Sequence, residues 1–397
     1  MTRPHARRVA LLWRMPVRGR SRLDEWFARV FGDDQPTHVG TGWFSGTASI
    51  FFGALGLGAV ACLHYPELLT QVDLRSRYPL PVMRALIQFV IGAGFLFGLL
   101  AALLRARKTL AVAGIGLSLT ALLLGGADVP IDGAAGGRIY LGLDWFLLNL
   151  LLLAVIFVPL ERLFPQRPAQ EVFRPGWTTD TLHFFVSHLL VQVTTLLTVM
   201  PATVIASTAG STWLHQAIQS QPLALQFVEV MIVADLGEYT THRLFHAIPV
   251  LWRFHAIHHS SVTLDWIAGS RLHLVDVVIT RGFTLIPIVL LGFSPPAVYA
   301  YLVFVSFHAV FIHANVRFRG GWLERVLVMP RFHHWHHSAA PEAVDKNFAV
   351  HMPWIDRIFG TYHLPGDEWP TEYGIAGDPV PEGYAAQLID PFTRAPK

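Results

Sequence analysis

Six stretches of this chain are long and apolar enough to cross a lipid bilayer as helices. A spanning helix needs about 20 predominantly apolar residues, and the six runs lie near 46–63, 84–104, 109–126, 143–160, 181–207 and 222–241. Two further runs lie near 274–293 and 296–314, and we interpret them as a hairpin that enters the membrane and returns. Only 14% of the residues are charged, against about 25% in soluble domains. The sequence therefore predicts an all-α, multi-pass membrane helical bundle.

The single cysteine limits the redox chemistry that this sequence can hold. Cys62 lies inside the first apolar run. One cysteine excludes an intrachain disulfide, a cysteine-ligated zinc site and an iron–sulfur cluster held by this sequence. Electrons for any redox site must therefore come from elsewhere.

Basic segments predict the orientation of the helices. Residues 1–22 contain seven arginines and no acidic residue, and loops rich in Lys and Arg stay in the cytoplasm. A targeting segment is less favoured because no cleavable apolar core follows closely. We interpret residues 1–40 as a basic cytoplasmic arm. The loops around Arg105 and Arg167 then fall on the same side.

Histidines are concentrated in one quarter of the chain. Between His242 and His337 lie 12 of the 20 histidines, and many form the spaced groups HRLFH, HAIHH and HHWHH. Residues i, i+3 and i+4 share one face of a helix. In each group, therefore, several imidazoles point the same way. We predict eight metal ligands, which are His242, His246, His255, His258, His259, His333, His336 and His337.

Imidazole is the commonest side-chain metal ligand and suits zinc, copper, iron and nickel. Eight imidazoles exceed what one tetrahedral zinc ion can use. They indicate two ions, and two-metal sites carry demanding chemistry. With the basic arm inside, every histidine group falls at the cytoplasmic face, so we expect a histidine-rich cytoplasmic cap on the bundle.

Neighbouring polar residues are candidates for supporting roles. Asp235 and Glu238 share a helix face with His242 and are predicted to orient ligand imidazoles. The alternative is that they lie in the interfacial layer, where a carboxylate costs little. His273 and His313 are possible further ligands, and Asn315 could support a ligand through water.

The motifs resemble those of the fatty acid hydroxylase / sterol desaturase superfamily. HRLFH, HAIHHS and RFHHWHHS match the family order HxxxH, HxxHH and HxxHH, and His334 would be the non-ligand inside the third box. The resemblance covers roughly residues 140–363. It implies two iron ions, O2 as co-substrate, and insertion of a hydroxyl group into a C–H bond of a fatty acyl, sterol-like or ether lipid.

The resemblance also implies the partners of the protein. These are a membrane lipid and a separate electron donor, such as a reductase, a cytochrome or a pterin-type reductant, and no nucleic acid. A desaturase of the same family is the main alternative, because both reactions begin with the same hydrogen abstraction. A zinc-binding or zinc-transporting protein and a haem-based electron carrier are two less favoured functions. Transporters usually place their sites near the membrane midplane, whereas these histidines collect at one face.

The same features predict the organisation and location of the chain. Residues 41–127 would form an accessory membrane module of about three helices, 140–363 the hydroxylase-like domain with the histidine boxes, and 364–397 a tail. We expect an integral membrane protein, in the plasma or inner membrane of a bacterium or the endoplasmic reticulum of a eukaryote, with its active site on the cytoplasmic face.

Overall fold

The computed structural model describes residues 20–31, 40–71, 79–131, 140–209, 212–375 and 380–394. Most of the predicted basic arm lies outside these ranges. The described residues contain no β-strand, and the predicted all-α class is confirmed. The helices in chain order are α1 (Arg22–Phe31), α2 (Trp43–His64), α3 (Pro66–Leu69), α4 (Leu80–Leu104), α5 (Thr109–Leu123), α6 (Leu143–Leu163), α7 (Trp177–Leu189), α8 (Val191–Ala209), α9 (Trp213–Gln219), α10 (Leu223–Ala247), α11 (Pro249–His259), α12 (Leu274–Leu291), α13 (Pro295–His313), α14 (Pro330–His336), α15 (Trp354–Phe359) and α16 (Tyr384–Thr393).

Six stretches of helix have the length and composition of membrane spans. They are Trp43–His64, Leu80–Leu104, Thr109–Asp128, Leu143–Leu163, Leu274–Leu291 and Pro295–His313. Helices α9 and α10 pass the same test as a pair, bent by 119°. The apolar run predicted near 181–207 is divided between α7 and α8. A bundle of this kind belongs in a lipid bilayer, because helices satisfy their own backbone hydrogen bonds there.

The chain forms two compact units. The first unit comprises Met1–Glu25, Phe157–Phe184 and Thr195–Lys397, and the second comprises Trp26–Ile156 and Phe185–Thr194. All the histidines between 242 and 337 belong to the first unit, which we call the histidine unit.

Close packing of small residues holds α2, α4 and α5 together in the second unit. Ser49 Oγ donates to the carbonyl oxygen of Gly94 at 2.6 Å. A Cβ added at Gly114 would lie 2.0 Å from Ser49 Oγ. Small residues let membrane helices approach closely, where van der Waals packing and interhelical hydrogen bonds drive association.

The histidine unit is built around α10, α12 and α13. Val230, Ala234, Ile288 and Tyr301 are buried where these three helices pack. The carboxyl ends of α10 and α13 and the short helices α11 and α14 carry the histidine groups. The ends of several helices therefore bring the histidine groups to the same part of the histidine unit.

Candidate metal centre

The structure gathers nine histidines into two groups. In the first group, one ring nitrogen from each of five residues lies within 4.8 Å of all the others, and the members are His242, His246, His255, His259 and His336. The second group meets the same limit and contains His258, His313, His333 and His337. Either group could hold a metal ion. The eight box histidines all take part, and each group draws on α11 and α14.

Fixed acceptors orient the imidazoles of the first group. Nδ1 of His242 donates to the carbonyl oxygen of Phe348 at 2.8 Å, and Nδ1 of His336 donates to that of Lys346 at 2.7 Å. Nδ1 of His255 lies 2.7 Å from Oδ2 of Asp276. A carbonyl or carboxylate oxygen can only accept, so the proton of each ring is on Nδ1. The lone pair of each ring is then on Nε2, and all three Nε2 atoms are buried with no hydrogen-bond partner among the described residues.

His246 and His259 complete the first group. Nδ1 of His246 lies 3.0 Å from Oδ1 of Asp345, and its Nε2 lies 3.2 Å from Nε2 of His259. The carboxylate of Asp345 accepts from Nδ1 of His246, and Nε2 of His246 faces the ring of His259. A cation held by this group would pair the three Nε2 atoms that lack a hydrogen-bond partner.

The second group forms a compact set of four Nε2 atoms. His313 Nε2 lies 2.9 Å from that of His333, 3.3 Å from that of His258 and 3.3 Å from that of His337. The Nε2 atoms of His333 and His337 are 3.1 Å apart. A tetrahedral ion with metal–nitrogen distances of about 2.0–2.1 Å holds its nitrogens roughly 3.3–3.4 Å apart. The four imidazoles therefore fit a four-coordinate ion with little movement.

Burial keeps these imidazoles in the form that binds metal. Burial is the main cause that lowers the pKa well below its usual value for each box histidine outside the membrane spans, and neighbouring histidines lower it further. These residues are His255, His258, His259, His333, His336 and His337. A neutral imidazole is the ligand form. The site is therefore ready for a cation near neutral pH.

The two single histidines predicted as possible ligands are placed differently. His313 is the last residue of α13 and belongs to the second group. His273 precedes α12, where its Nδ1 accepts from the backbone N–H of Val275 and its Nε2 lies 3.1 Å from the carbonyl oxygen of Leu388. It is in neither group.

The two predicted supporting carboxylates bind backbone N–H groups and a hydroxyl group. Asp235 accepts from the backbone N–H groups of Val350, His351 and Met352 at 2.6–3.0 Å. It reaches His242 through the loop that carries Phe348, with no imidazole among its described partners. Thr284 donates to Glu238 at 3.2 Å.

Asn315 and His334 also make contacts outside the two groups. Oδ1 of Asn315 accepts from the backbone N–H of Arg167 at 2.8 Å. His334 Nδ1 lies 2.7 Å from the hydroxyl of Tyr373, and its Nε2 lies 3.2 Å from the carbonyl oxygen of His313. Asn315 and His334 therefore support the segments beside His313.

Sequence reasoning did not assign Asp276 and Asp345 to the site. Asp276 is buried and Asp345 is 63% exposed at its side chain. Asp276 carried a signal, since a carboxylate within an apolar helix marks a functional interior. Asp345 stands in a polar loop, and only the fold brings it to His246.

The apolar helices indicate a membrane protein. The nine imidazoles that they bring together are the ligand set of a histidine-rich metal centre. The family model for fatty acid hydroxylase matches residues 227–361. The ornithine lipid hydroxylase OlsE of Rhizobium tropici is 34% identical over 255 residues, which are 63% of this chain and 76% of that protein. The chain belongs to the fatty acid hydroxylase family, and the resemblance predicted from the histidine motifs is confirmed.

Further relatives match a shorter part of the chain. Human alkylglycerol monooxygenase is 33% identical over 142 residues, 36% of this chain and 31% of that protein. The Delta(7)-sterol 5(6)-desaturase ERG3B of Gibberella zeae is 27% identical over 150 residues, 37% of this chain and 44% of that protein. No solved structure matches. The protein is an integral membrane oxidoreductase of a lipid-oxygenase family, and the desaturase alternative is not favoured.

Proposed function

We propose that this protein uses two iron ions and O2 to hydroxylate a C–H bond of an amino-acid-containing membrane lipid. The observation that carries the proposal is the convergence of nine imidazoles into two groups, joined by their shared helices α11 and α14. When bound, iron would supply the activation of O2 that an unactivated C–H bond requires. A zinc-binding protein would use the same nitrogens, because imidazole suits both metals.

The chain's own residues would prepare the site in three ways. Asp276 and the carbonyl oxygens of Lys346 and Phe348 hold Nδ1 protons, so that the Nε2 lone pairs face inward. Burial keeps the rings neutral and excludes bulk water, which protects a reactive centre from side reactions. Hydrogen-bond acceptors that orient ligand imidazoles in this way typically change metal affinity about 10–100-fold.

A relative that matches 63% of this chain supports the proposed substrate class. The match to an ornithine lipid hydroxylase covers 63% of this chain, against 36% for alkylglycerol monooxygenase. We therefore propose an ornithine lipid or a similar aminolipid as substrate, and an ether lipid as the second candidate. Insertion of one oxygen atom of O2 forms the hydroxyl group, while two electrons and two protons reduce the other atom to water. A separate electron donor would supply those electrons.

We also propose that the site opens at the cytoplasmic face, as the basic loops predict. In this proposal residues 140–363 form the catalytic domain and 41–127 the accessory membrane module. The other two segments of the proposed domain organisation are the basic arm (1–40) and the tail (364–397). A bacterial plasma or inner membrane is the expected location if the source is bacterial, and the endoplasmic reticulum if it is eukaryotic.

The decisive experiment compares metal content and oxygen-dependent lipid modification in purified protein. Wild type prepared anaerobically with added iron should contain about two irons per chain. It should also convert ornithine lipid, with a reductant and O2, to a product heavier by one oxygen atom. His258→Ala should lose iron and activity, whereas His273→Ala should keep both. Zinc as the only bound metal under these conditions, with no lipid product, would contradict the proposal.

A further inference from the structure

Glu238 is a carboxylate within the apolar helix α10, which belongs to the bent pair with the length and composition of a membrane span. It lies about 14 Å before the carboxyl end of the helix, since each helical residue rises 1.5 Å. His242, a member of the first histidine group, follows one turn later on the same face. Ionisable groups inside membrane spans are rare and mark functional sites, because a charge without a partner is costly there.

Glu238 keeps accessible surface although its neighbours on the helix face do not. Residues three and four positions away adjoin a side chain on a helix. Around Glu238 all four of these residues are buried, with exposed fractions of 7% or less, and they are Ala234, Asp235, Thr241 and His242. Glu238 itself is only half-buried. The packing around the centre of this face therefore leaves a space that opens onto Glu238.

The carboxylate of Glu238 presents an unfilled acceptor to that space. Oγ1 of Thr284 donates to its Oε2 at 3.2 Å, which is its one hydrogen bond among the described residues. Its Oε1 has no hydrogen-bond partner in the described part of the chain, yet it is not shielded from solvent. An ionised carboxylate has about four acceptor positions. Most of those of Glu238 are left for a ligand.

Close contact between α10 and α12 holds this carboxylate beside the candidate metal centre. A Cβ added at Gly237 would collide with the backbone of α12, so the lack of a side chain there lets the helices approach and brings Thr284 to Glu238. The same helix α12 carries Asp276, whose Oδ2 lies 2.7 Å from Nδ1 of His255. A ligand on Glu238 would therefore lie next to the first histidine group.

The charges around Glu238 favour a cationic ligand. The charged side chains that influence it most are Asp276 and Asp235, and both are carboxylates. Asp235 already accepts from three backbone N–H groups, and Asp276 is paired with His255. Glu238 has only a neutral hydroxyl as donor. An ammonium group supplies three donors and a positive charge, and the attraction between unit charges is strong where the dielectric constant is low.

We propose that Glu238 binds the ammonium group of an aminolipid substrate and thereby selects lipids that carry a primary amine. The nitrogen donates to Oε1 of Glu238, one helical turn from His242. An alkylglycerol has no cationic group and gains nothing from this contact. The inference rests on the proposed function, because it names the residue that recognises the substrate class of the same site.

The test is equilibrium binding to the full-length protein, purified in detergent and kept anaerobic so that no turnover occurs. The probes are ornithine lipid in mixed micelles and the same lipid with its amine acetylated, which removes the positive charge. Glu238→Gln removes the charge of the side chain with little change in volume. Glu229→Gln is the matched control, since Glu229 lies nine residues earlier on the opposite face of α10, where it accepts from Gln221. Metal content and circular dichroism are measured for every variant.

We expect Glu238→Gln to weaken binding of ornithine lipid about 10–100-fold, the range for loss of a hydrogen bond to a charged group. Acetylation of the lipid should weaken its binding to wild type by a similar factor. The acetylated lipid should bind Glu238→Gln and wild type equally, because the two changes remove the same contact. Glu229→Gln should bind both lipids as wild type does.

Three results would overturn the assignment. The first is equally tight binding of the two lipids to wild type, a comparison that needs no variant and holds even if Glu238→Gln is unstable. The second is unchanged binding of ornithine lipid to Glu238→Gln. The third is an equal loss of binding for both lipids in that variant, which would give Glu238 a structural role. Selective binding of ornithine lipid through Glu238 without hydroxylation would refute the proposed function instead and leave the ammonium site standing.

Discussion

The Nε2 atoms of His313 and His333 lie 2.9 Å apart, although 20 residues separate them. His313 ends a membrane span, and His333 stands in the short helix α14. His258 and His337 lie within 3.3 Å of the same His313 nitrogen. His313, the last residue of α13, is therefore the central member of the second group.

Replacement of this residue should empty one metal position. We expect His313→Ala to lower the metal content of purified protein by about one ion per chain, because three imidazoles no longer close a four-coordinate site. His273→Ala is the control, and it should keep the wild-type content. Elemental analysis beside circular dichroism measures both. Equal metal content in the two variants would show that His313 is not a ligand.

A glycine next to the second group provides a steric test. A Cβ added at Gly269 would lie 2.7 Å from Nδ1 and 3.0 Å from Cγ of His313. Gly269→Ala should displace that ring and reduce metal content toward that of His313→Ala. The control is Gly282→Ala, where the nearest atom would be Ile286 Cδ1 at 3.9 Å. If both alanine variants retained full metal, the ring position of His313 would not matter for binding.

The two carboxylates that hold imidazoles should differ in importance. Asp276 is 4% exposed at its side chain and Asp345 is 63% exposed. We expect Asp276→Asn to weaken metal binding about 10–100-fold. Asp345→Asn should have a smaller effect, because solvent screens an exposed pair. Competition with a chelator of known affinity measures both values. A larger loss in Asp345→Asn would reverse this ranking.

Acid should destabilise the fold through His183. Burial lowers the pKa of this side chain from 6.5 to about 4. Between pH 6.5 and pH 4 the unfolded chain binds this proton more readily than the folded protein does. The free energy of unfolding therefore decreases as the pH falls from 6.5 toward 4, and this side chain has no such effect above pH 6.5. His183→Gln should reduce the pH dependence of the unfolding free energy by up to about 1.4 kcal/mol per pH unit, the value for one proton.

Chemical denaturation in detergent at several pH values in this range measures that slope. An unchanged slope in His183→Gln would mean that His183 titrates normally in the folded protein.

Sequence spacing was sufficient to predict that the eight box histidines lie close together, because i, i+3 and i+4 positions share a helix face wherever the helix lies. It could not assign them to two groups. His258 and His259 are adjacent in α11, yet they belong to different groups, because consecutive side chains point about 100° apart on a helix.

Tertiary packing decides which of the two isolated histidines joins a histidine group. His273 and His313 are both isolated histidines at the end of an apolar run, so the sequence offered no reason to separate them. The structure places His273 at the start of α12, where it caps the helix. It places His313 at the end of α13, where α11 and α14 meet. The hydrogen bonds from the loop to Asp235 could not be predicted from the sequence either, because they join residues 115 or more apart.

Asp235 connects the imidazole of His242 and its hydrogen-bond acceptor to the same membrane helix. Helix α10 supplies His242 as a candidate ligand, and through Asp235 the same helix also holds the loop that presents the carbonyl oxygen of Phe348 to His242. A membrane helix tilts when the thickness of the surrounding bilayer changes. Here the imidazole and its acceptor would tilt together. These hydrogen bonds fix the direction of that lone pair relative to α10, so membranes of different thickness should leave it unchanged.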